Sequence, residues 1–174
     1  MTDGIEIERV WLLSGMPDIP SDTLGKAERW EIEQGYLPDP DGHVHAKGFP
    51  EGRVRRIRRS DGSVVCKHTV KRGIGIVREE LERSIDDRQF AEWWPMTQGR
   101  RITKTRLRME VNGLLWELDE FRTLALVMLE VELPAKDAPI AMPEWLARRV
   151  VREVSLDPRY RNAGLAINGV PASD

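Results

Sequence analysis

The sequence predicts an α+β protein that is mainly β: an eight-stranded antiparallel β-barrel with a charged lumen and a few peripheral helices. Three observations predict it. Eight segments alternate apolar and polar residues with a period of two, as strands with one covered face do. Asp61-Gly62 and Asn112-Gly113 stand between consecutive segments and supply the positive φ angles of tight hairpins. Nearly every segment also carries two charges of one sign two residues apart, and such pairs share a strand face.

The first strand is predicted over 4–13, with Glu6 and Glu8 on one face and Ile5 and Ile7 on the other. A second runs over 28–37, followed by a surface loop from Pro38 to Gly52 that is rich in Pro, Asp and Gly. The third strand, 53–59, carries Arg56 and Arg58; the fourth, 63–71, carries Lys67, Thr69 and Lys71. The fifth, 75–85, presents Arg78, Glu80 and Glu82. Asp86 then caps a helix, with Gln89 completing a capping box and Pro95 ending it after Trp94. The sixth strand, 99–110, presents Lys104 and Arg106. The seventh, 114–122, presents Glu117 and Asp119, and the eighth, 126–133, Glu130 and Glu132. Pro143 opens a short helix through Arg148, and Asp157-Pro158 opens a last one through Tyr160 to Ala166. The chain reads as a single domain over 1–174, with a core of about 4–167 and a tail over 168–174.

Composition sets limits on function. The 174 residues suffice for one domain with a core. With a net charge of −2 there is no global basic field for nucleic acid or an anionic membrane, and no apolar run can span a bilayer. The N-terminus lacks a signal-peptide pattern. Cys66 is the single cysteine, which excludes an internal disulfide and fits a cytoplasmic protein. All but six of the 27 basic residues are arginine, whose planar fork suits phosphate.

The charged faces carry the functional signal. An ordinary sheet would have one core face and one solvent face. Yet acidic residues are depleted from strands, and here acidic pairs occur on four of them. The apolar faces therefore point outward under a cover of helices, with Trp93, Trp94 and Trp145 in it, and the charges line the lumen. If Asp61-Gly62 is a two-residue loop, Arg56 and Arg58 join Lys67 and Lys71 inside; a three-residue loop brings Arg53 and Arg55 forward instead. Clustered Arg and Lys bind the oxygens of a polyanion, and clustered carboxylates bind a hard cation such as Mg²⁺ or Mn²⁺. A metal-bound polyphosphate needs both at once.

Glu6-Ile7-Glu8-Arg9 resembles the ExExK opening of the CYTH proteins, the triphosphate tunnel metalloenzymes. Thr69-Val70-Lys71, Arg78 to Glu82, Trp94 to Thr97, Gly99 to Arg106, Trp116 to Asp119, Glu130 to Glu132 and Arg159 to Asn162 resemble the same family, in family order over about residues 4–167. The series is most similar to the small bacterial tripolyphosphatases. The resemblance implies an eight-stranded triphosphate tunnel and metal-dependent hydrolysis of inorganic tripolyphosphate. It implies a catalytic set of Glu6, Glu8, Lys71, Lys104 and Arg106. Arg56, Arg58, Lys67, Lys71, Arg78, Lys104 and Arg106 would bind substrate. Glu6, Glu8, Glu80, Glu82, Glu117, Asp119, Glu130 and Glu132 would hold Mg²⁺ or Mn²⁺ and orient water. The partner is a small-molecule triphosphate, without nucleic acid or membrane, and a homodimer is left open. The last helix would pack at one end of the tunnel, bringing Tyr160 and Asn162 there.

One position departs from the pattern: the lysine ending ExExK falls at Val10. A basic residue on a neighbouring strand compensates, because Arg9 faces outward by alternation, or activity is reduced or redirected. Adenylate cyclase or thiamine-triphosphatase chemistry on the same scaffold, or triphosphate binding without turnover, are the alternatives. His43 and His45 in the 38–52 loop read as exposed polar residues rather than metal ligands. Asp39-Pro40-Asp41-Gly42 has the wrong spacing for a calcium loop. Gly73-Ile74-Gly75 reads as a turn, and Cys66 as a small core residue.

Overall fold

The structure, a computed structural model, describes residues 2–38, 51–73 and 75–172. Its elements in chain order are β1 (Thr2–Leu13), α1 (Ser21–Leu24), β2 (Glu28–Tyr36), β3 (Arg53–Arg59), β4 (Val64–Arg72) and β5 (Val77–Ile85). Then follow α2 (Asp87–Trp93), β6 (Arg101–Val111), β7 (Leu114–Phe121), β8 (Val127–Glu132), α3 (Glu144–Ala147), β9 (Val150–Glu153) and α4 (Asn162–Asn168). The eight predicted strands are all present. The four-residue elements α1 and β9 were not foreseen, being too short to show a period.

All neighbouring strands pair antiparallel in the order β5-β4-β3-β2-β6-β7-β8-β1, and β1 closes the ring on β5. β1 does this by dividing its length. Its first half, Thr2–Ile7, pairs with Glu82–Val77 of β5, and its second half, Glu8–Leu13, with Glu132–Val127 of β8. β9 lies against the second half of β1, with Trp11 across from Glu153. Outward-facing Arg9 pairs there with Glu153, as alternation requires.

The hairpins follow their turn chemistry. Asn112 (φ 54°) and Gly113 (φ 73°) join Val111 directly to Leu114, a two-residue turn with both φ angles positive. The other predicted hairpin differs. Arg59 N donates to Ser63 O and Arg58 pairs with Val64, so Ser60-Asp61-Gly62 is a three-residue loop with Gly62 at φ 83°. Asp61 Oδ1 accepts from Ser63 N at 2.8 Å, a local bond that favours this longer turn. Gly73 and Gly75 also take positive φ, at the turn between β4 and β5.

The barrel is inverted. Trp11, Leu107, Met109, Trp116, Leu118, Leu129 and Val131 point outward and are covered by the segments around Met16, Ile140 and Trp145 and by Leu146 of α3. A second outer group, Val54, Cys66 and Ile85, lies under Phe90 and Trp93 of α2. Asp86 caps α2 as predicted, its Oδ1 accepting from Gln89 N at 2.7 Å. A third group is inside. Leu12, Ile102, Phe121 and Met128 project into one end of the lumen, where Tyr160 and Leu165 fill it. The last helix therefore plugs the barrel, split by Arg161 into a 3₁₀ turn (Pro158–Tyr160) and α4. Among the described residues no helix is long and apolar enough to cross a membrane.

Candidate functional site

Between the plug and the opposite mouth lies a cavity of about 440 Å³, within the usual size for a small-ligand site. Among the described residues, eight Arg or Lys side chains and seven Glu side chains line it. Strand alternation puts them there: β1 contributes Glu6 and Glu8, β4 Lys67 and Lys71, and β5 Arg78, Glu80 and Glu82. β6 contributes Arg106 and Arg108, β7 Glu117, and β8 Glu130 and Glu132. Val10 also faces the lumen and packs beside the plug.

The three-residue hairpin corrects one expectation. Arg53 and Arg55, not Arg56 and Arg58, face the tunnel, because Arg55 lies directly across from Lys67 and Arg53 from Thr69. Arg56 points outward, with its guanidinium 4.3 Å from the centre of the Phe90 ring, and Arg58 is exposed. A single extra loop residue moves every side chain of β3 to the opposite face.

With cations and carboxylates nearly equal in number, the lumen pairs with itself. Lys71 Nζ donates to both oxygens of Glu6 at 2.6 Å and contacts Glu80 at 2.9 Å. Arg78 bridges Glu8 and Glu6. Glu82 accepts from Arg55 at 2.5 Å, from Thr69 at 3.0 Å and from Lys67. Arg106 forms a fork with Asp119, with both contacts at 2.6 Å, and reaches Glu130 at 2.5 Å and Glu117. Two expected site residues lie at the cavity floor rather than on its wall. Lys104 and Asp119 are buried and paired with each other, and Lys104 Nζ also donates to Asn162 Oδ1 at 3.2 Å.

These pairings set the protonation of the site. Burial, then the Glu8 charge, push Glu6 up to about 7, against the pull of Lys71. Burial also pushes Glu82 up, but Arg55 and Lys67 hold it down to about 2. Burial followed by Arg106 lowers the Lys104 ammonium, while burial is outweighed at Glu130 by Arg106 and Lys104, which hold that carboxylate low. Burial, Glu117 and Glu80 raise Glu132.

Among the described residues no three acidic or histidine side chains converge closely enough to hold a metal ion together. The donor set nevertheless fits a hard divalent cation. Glu8 lies directly across from Glu132, and Glu117 across from Glu130. Arg106 already lies between Glu117 and Glu130, but Glu132 makes no ion pair among the described residues, and carboxylate oxygens are what Mg²⁺ or Mn²⁺ prefers. His43 and His45 lie outside the described residues, as does Asp39-Pro40-Asp41-Gly42.

Further lining residues are Tyr36, Trp30, Arg108 and Arg161. Arg108 simply extends the 104, 106 alternation and was legible there. Tyr36 was not, since its hydroxyl gains meaning only from Gln34 Nε2, which donates to it at 2.9 Å, and from Arg53. Gly35 between them has a steric reason: a Cβ there would lie 2.4 Å from Thr97 Oγ1.

No family model matches the chain. It is 34% identical over 168 residues to an inorganic triphosphatase of Nitrosomonas europaea, covering 94% of this chain and 97% of the relative. It is 41% identical over 171 residues to an inorganic triphosphatase of Acetivibrio thermocellus, covering 95% of each. Among solved structures, the inorganic triphosphatase NE1496 is similar with a TM-score of 0.60 and 32% identity, over 94% of this chain and 98% of that one.

Proposed function

The chain belongs to the inorganic triphosphatase family, the tripolyphosphatase branch of the triphosphate tunnel metalloenzymes, and on that premise we propose that it hydrolyses inorganic triphosphate inside the barrel. Water adds to a terminal phosphorus, the bond from that phosphorus to its bridging oxygen breaks, and the products are orthophosphate and diphosphate. The water proton not kept by orthophosphate is released or taken up by diphosphate.

One observation carries this reading: a barrel plugged at one end whose lumen is walled by arginine, lysine and glutamate. Arg53, Arg55, Lys67, Lys71, Arg106 and Arg108 supply charge-assisted bonds to phosphoryl oxygens from several sides. Glu6, Glu8, Glu80, Glu117, Glu130 and Glu132 would hold Mg²⁺ or Mn²⁺. That cation, when bound, screens the phosphate charge and lowers the pKa of bound water. In the resting tunnel the two sets neutralise each other, so a polyanion needs the cations freed and a metal needs the carboxylates freed. Each ligand thus relieves the charge that the other uncovers. Arg78, which bridges Glu6 and Glu8, supplies the positive charge beside ExE that Val10 lacks. The single cysteine is consistent with a cytoplasmic enzyme.

Phosphate release from tripolyphosphate with Mg²⁺ or Mn²⁺, against a chelator control, tests the reading. Metal-dependent release is expected. A folded protein that binds tripolyphosphate without releasing phosphate would refute turnover.

A further inference from the structure

The geometry points to Trp30 as the residue that makes this tunnel select a bare inorganic triphosphate over nucleoside triphosphates, an inference that rests on the proposed triphosphatase reading. Trp30 lies across from Arg106 on the lumen side of β2 and lines the cavity. The plug sits at the other end of the same strands. Ile102, part of the plug, pairs with Gln34, four residues along β2 and so roughly 13 Å from Trp30 at the rise of a strand. A triphosphate entering at the open mouth goes in phosphate first, and any ribose and base would be left beside Trp30.

An exposed indole would welcome a base, because stacking on an aromatic face is favourable and tolerant of sequence. This indole is not bare. Arg59 approaches from β3, with its guanidinium carbon 5.6 Å from the ring centre, and Arg108 approaches from β6 at 4.3 Å. These strands flank β2 on its two sides, so the guanidinium groups occupy both flanks of the ring. Arg108 is held in place by Glu117 at 2.9 Å and Glu28 at 3.1 Å. Trp30 Nε1 and Arg59 Nε are buried without a hydrogen-bond partner among the described residues. Such orphans cost stability, so hydrogen bonding does not account for the meeting of Trp30 with Arg59. What the trio does is narrow the mouth with a ring that cations approach from both neighbouring strands, leaving phosphate welcome and a base without a free platform.

The test compares kcat/KM for tripolyphosphate and for ATP in the wild type, Trp30→Ala and Arg59→Ala, with a thermal melt to show that each is folded. Trp30→Ala should raise the ATP-to-tripolyphosphate ratio by about tenfold or more. Arg59→Ala should bare one flank and raise the ratio less. An unchanged ratio in folded Trp30→Ala overturns the inference. A lower ratio overturns it too, by showing that the indole holds the base. A wild type inactive on tripolyphosphate would defeat the triphosphatase reading alone; the same ratio measured as Kd by calorimetry would still decide the role of Trp30.

Discussion

Replacing Glu6 with Gln should stabilise the protein at pH 8 while abolishing turnover. Burial and the neighbouring Glu8 charge raise the Glu6 carboxyl from 4.5 to about 7, and Lys71 does not reverse this. Between those values the folded chain keeps a proton that the unfolded chain has released, so stability falls as pH rises through the window. At about 1.4 kcal/mol per pH unit the ceiling is about 3 kcal/mol. The variant also gives up the two 2.6 Å contacts from Lys71, which keeps Glu80 at 2.9 Å. The net gain at pH 8 is therefore about 1–3 kcal/mol, or about 2–4 °C in melting temperature for each kcal/mol in a chain of this size. Urea unfolding at pH 5 and pH 8 measures it. The gap should be widest at pH 8 and nearly closed at pH 5, where the wild-type carboxyl is already neutral in the fold. Saturating Mg²⁺ at pH 8 should narrow the gap by stabilising the wild type. A variant less stable than wild type at pH 8, or a gap equal at both pH values, would refute the reasoning.

Three further outcomes are expected. Arg55→Ala should weaken tripolyphosphate binding by about 1–3 kcal/mol in calorimetry, as loss of a charge-assisted contact does, whereas Arg58→Ala should change it by about 0.5 kcal/mol or less; the reverse order would show the hairpin register to be wrong. Glu82→Gln should remove acid sensitivity: with its carboxyl held down to about 2, Glu82 contributes stability above pH 4.5 that is lost as pH falls towards 2, and an unchanged acid-unfolding midpoint would contradict this. Gly35→Ala should cost about 1–3 kcal/mol by overpacking, because its Cβ would lie 2.4 Å from Oγ1 and 2.5 Å from Cβ of buried Thr97; a denaturant midpoint equal to wild type would show that Thr97 can move aside.

Most of this architecture was legible because strand alternation is a local property. Glu6 with Glu8, Lys104 with Arg106, and Glu130 with Glu132 share faces whatever their neighbours are, and the structure places each pair on the lumen side. What alternation does not give is phase across a turn. Asp61-Gly62 satisfies a two-residue hairpin as well as Asn112-Gly113 does, yet the Asp61 side chain bonds Ser63 N and the loop takes in Ser60. That choice alone moved Arg56 and Arg58 outside and Arg53 and Arg55 in. Depth was equally hidden. Asp119 and Glu117 look alike in sequence, but Asp119 is locked beneath the floor by Lys104 and Arg106 while Glu117 reaches the cavity. The role of Trp30 depends on Arg59 and Arg108, which come from two other strands, and no local pattern announces that meeting.

The placement of apolar residues explains how a lumen this charged can exist. An ordinary barrel fills its centre with hydrocarbon, and each charge placed there would need compensation. Here the large apolar side chains Trp11, Trp116, Leu118, Leu129 and Val131 are buried on the outside, and Phe90 and Trp93 cover another wall. Among the described residues the interior packs apolar side chains at the plugged end, around Leu12, Phe121 and Leu165, and where buried Ile32 lies across from Ile57. Folding is thus driven chiefly by surfaces that do not touch the cavity. The lumen then needs only to be near electrical balance, which eight cations and seven carboxylates provide among the described residues. Residues of the tunnel wall are in this way released from the core, and substitutions there should alter binding and turnover more than they alter stability. Glu6 marks the limit of that freedom: its charge lowers the stability of the resting fold at neutral pH, as expected of a group retained for binding rather than packing.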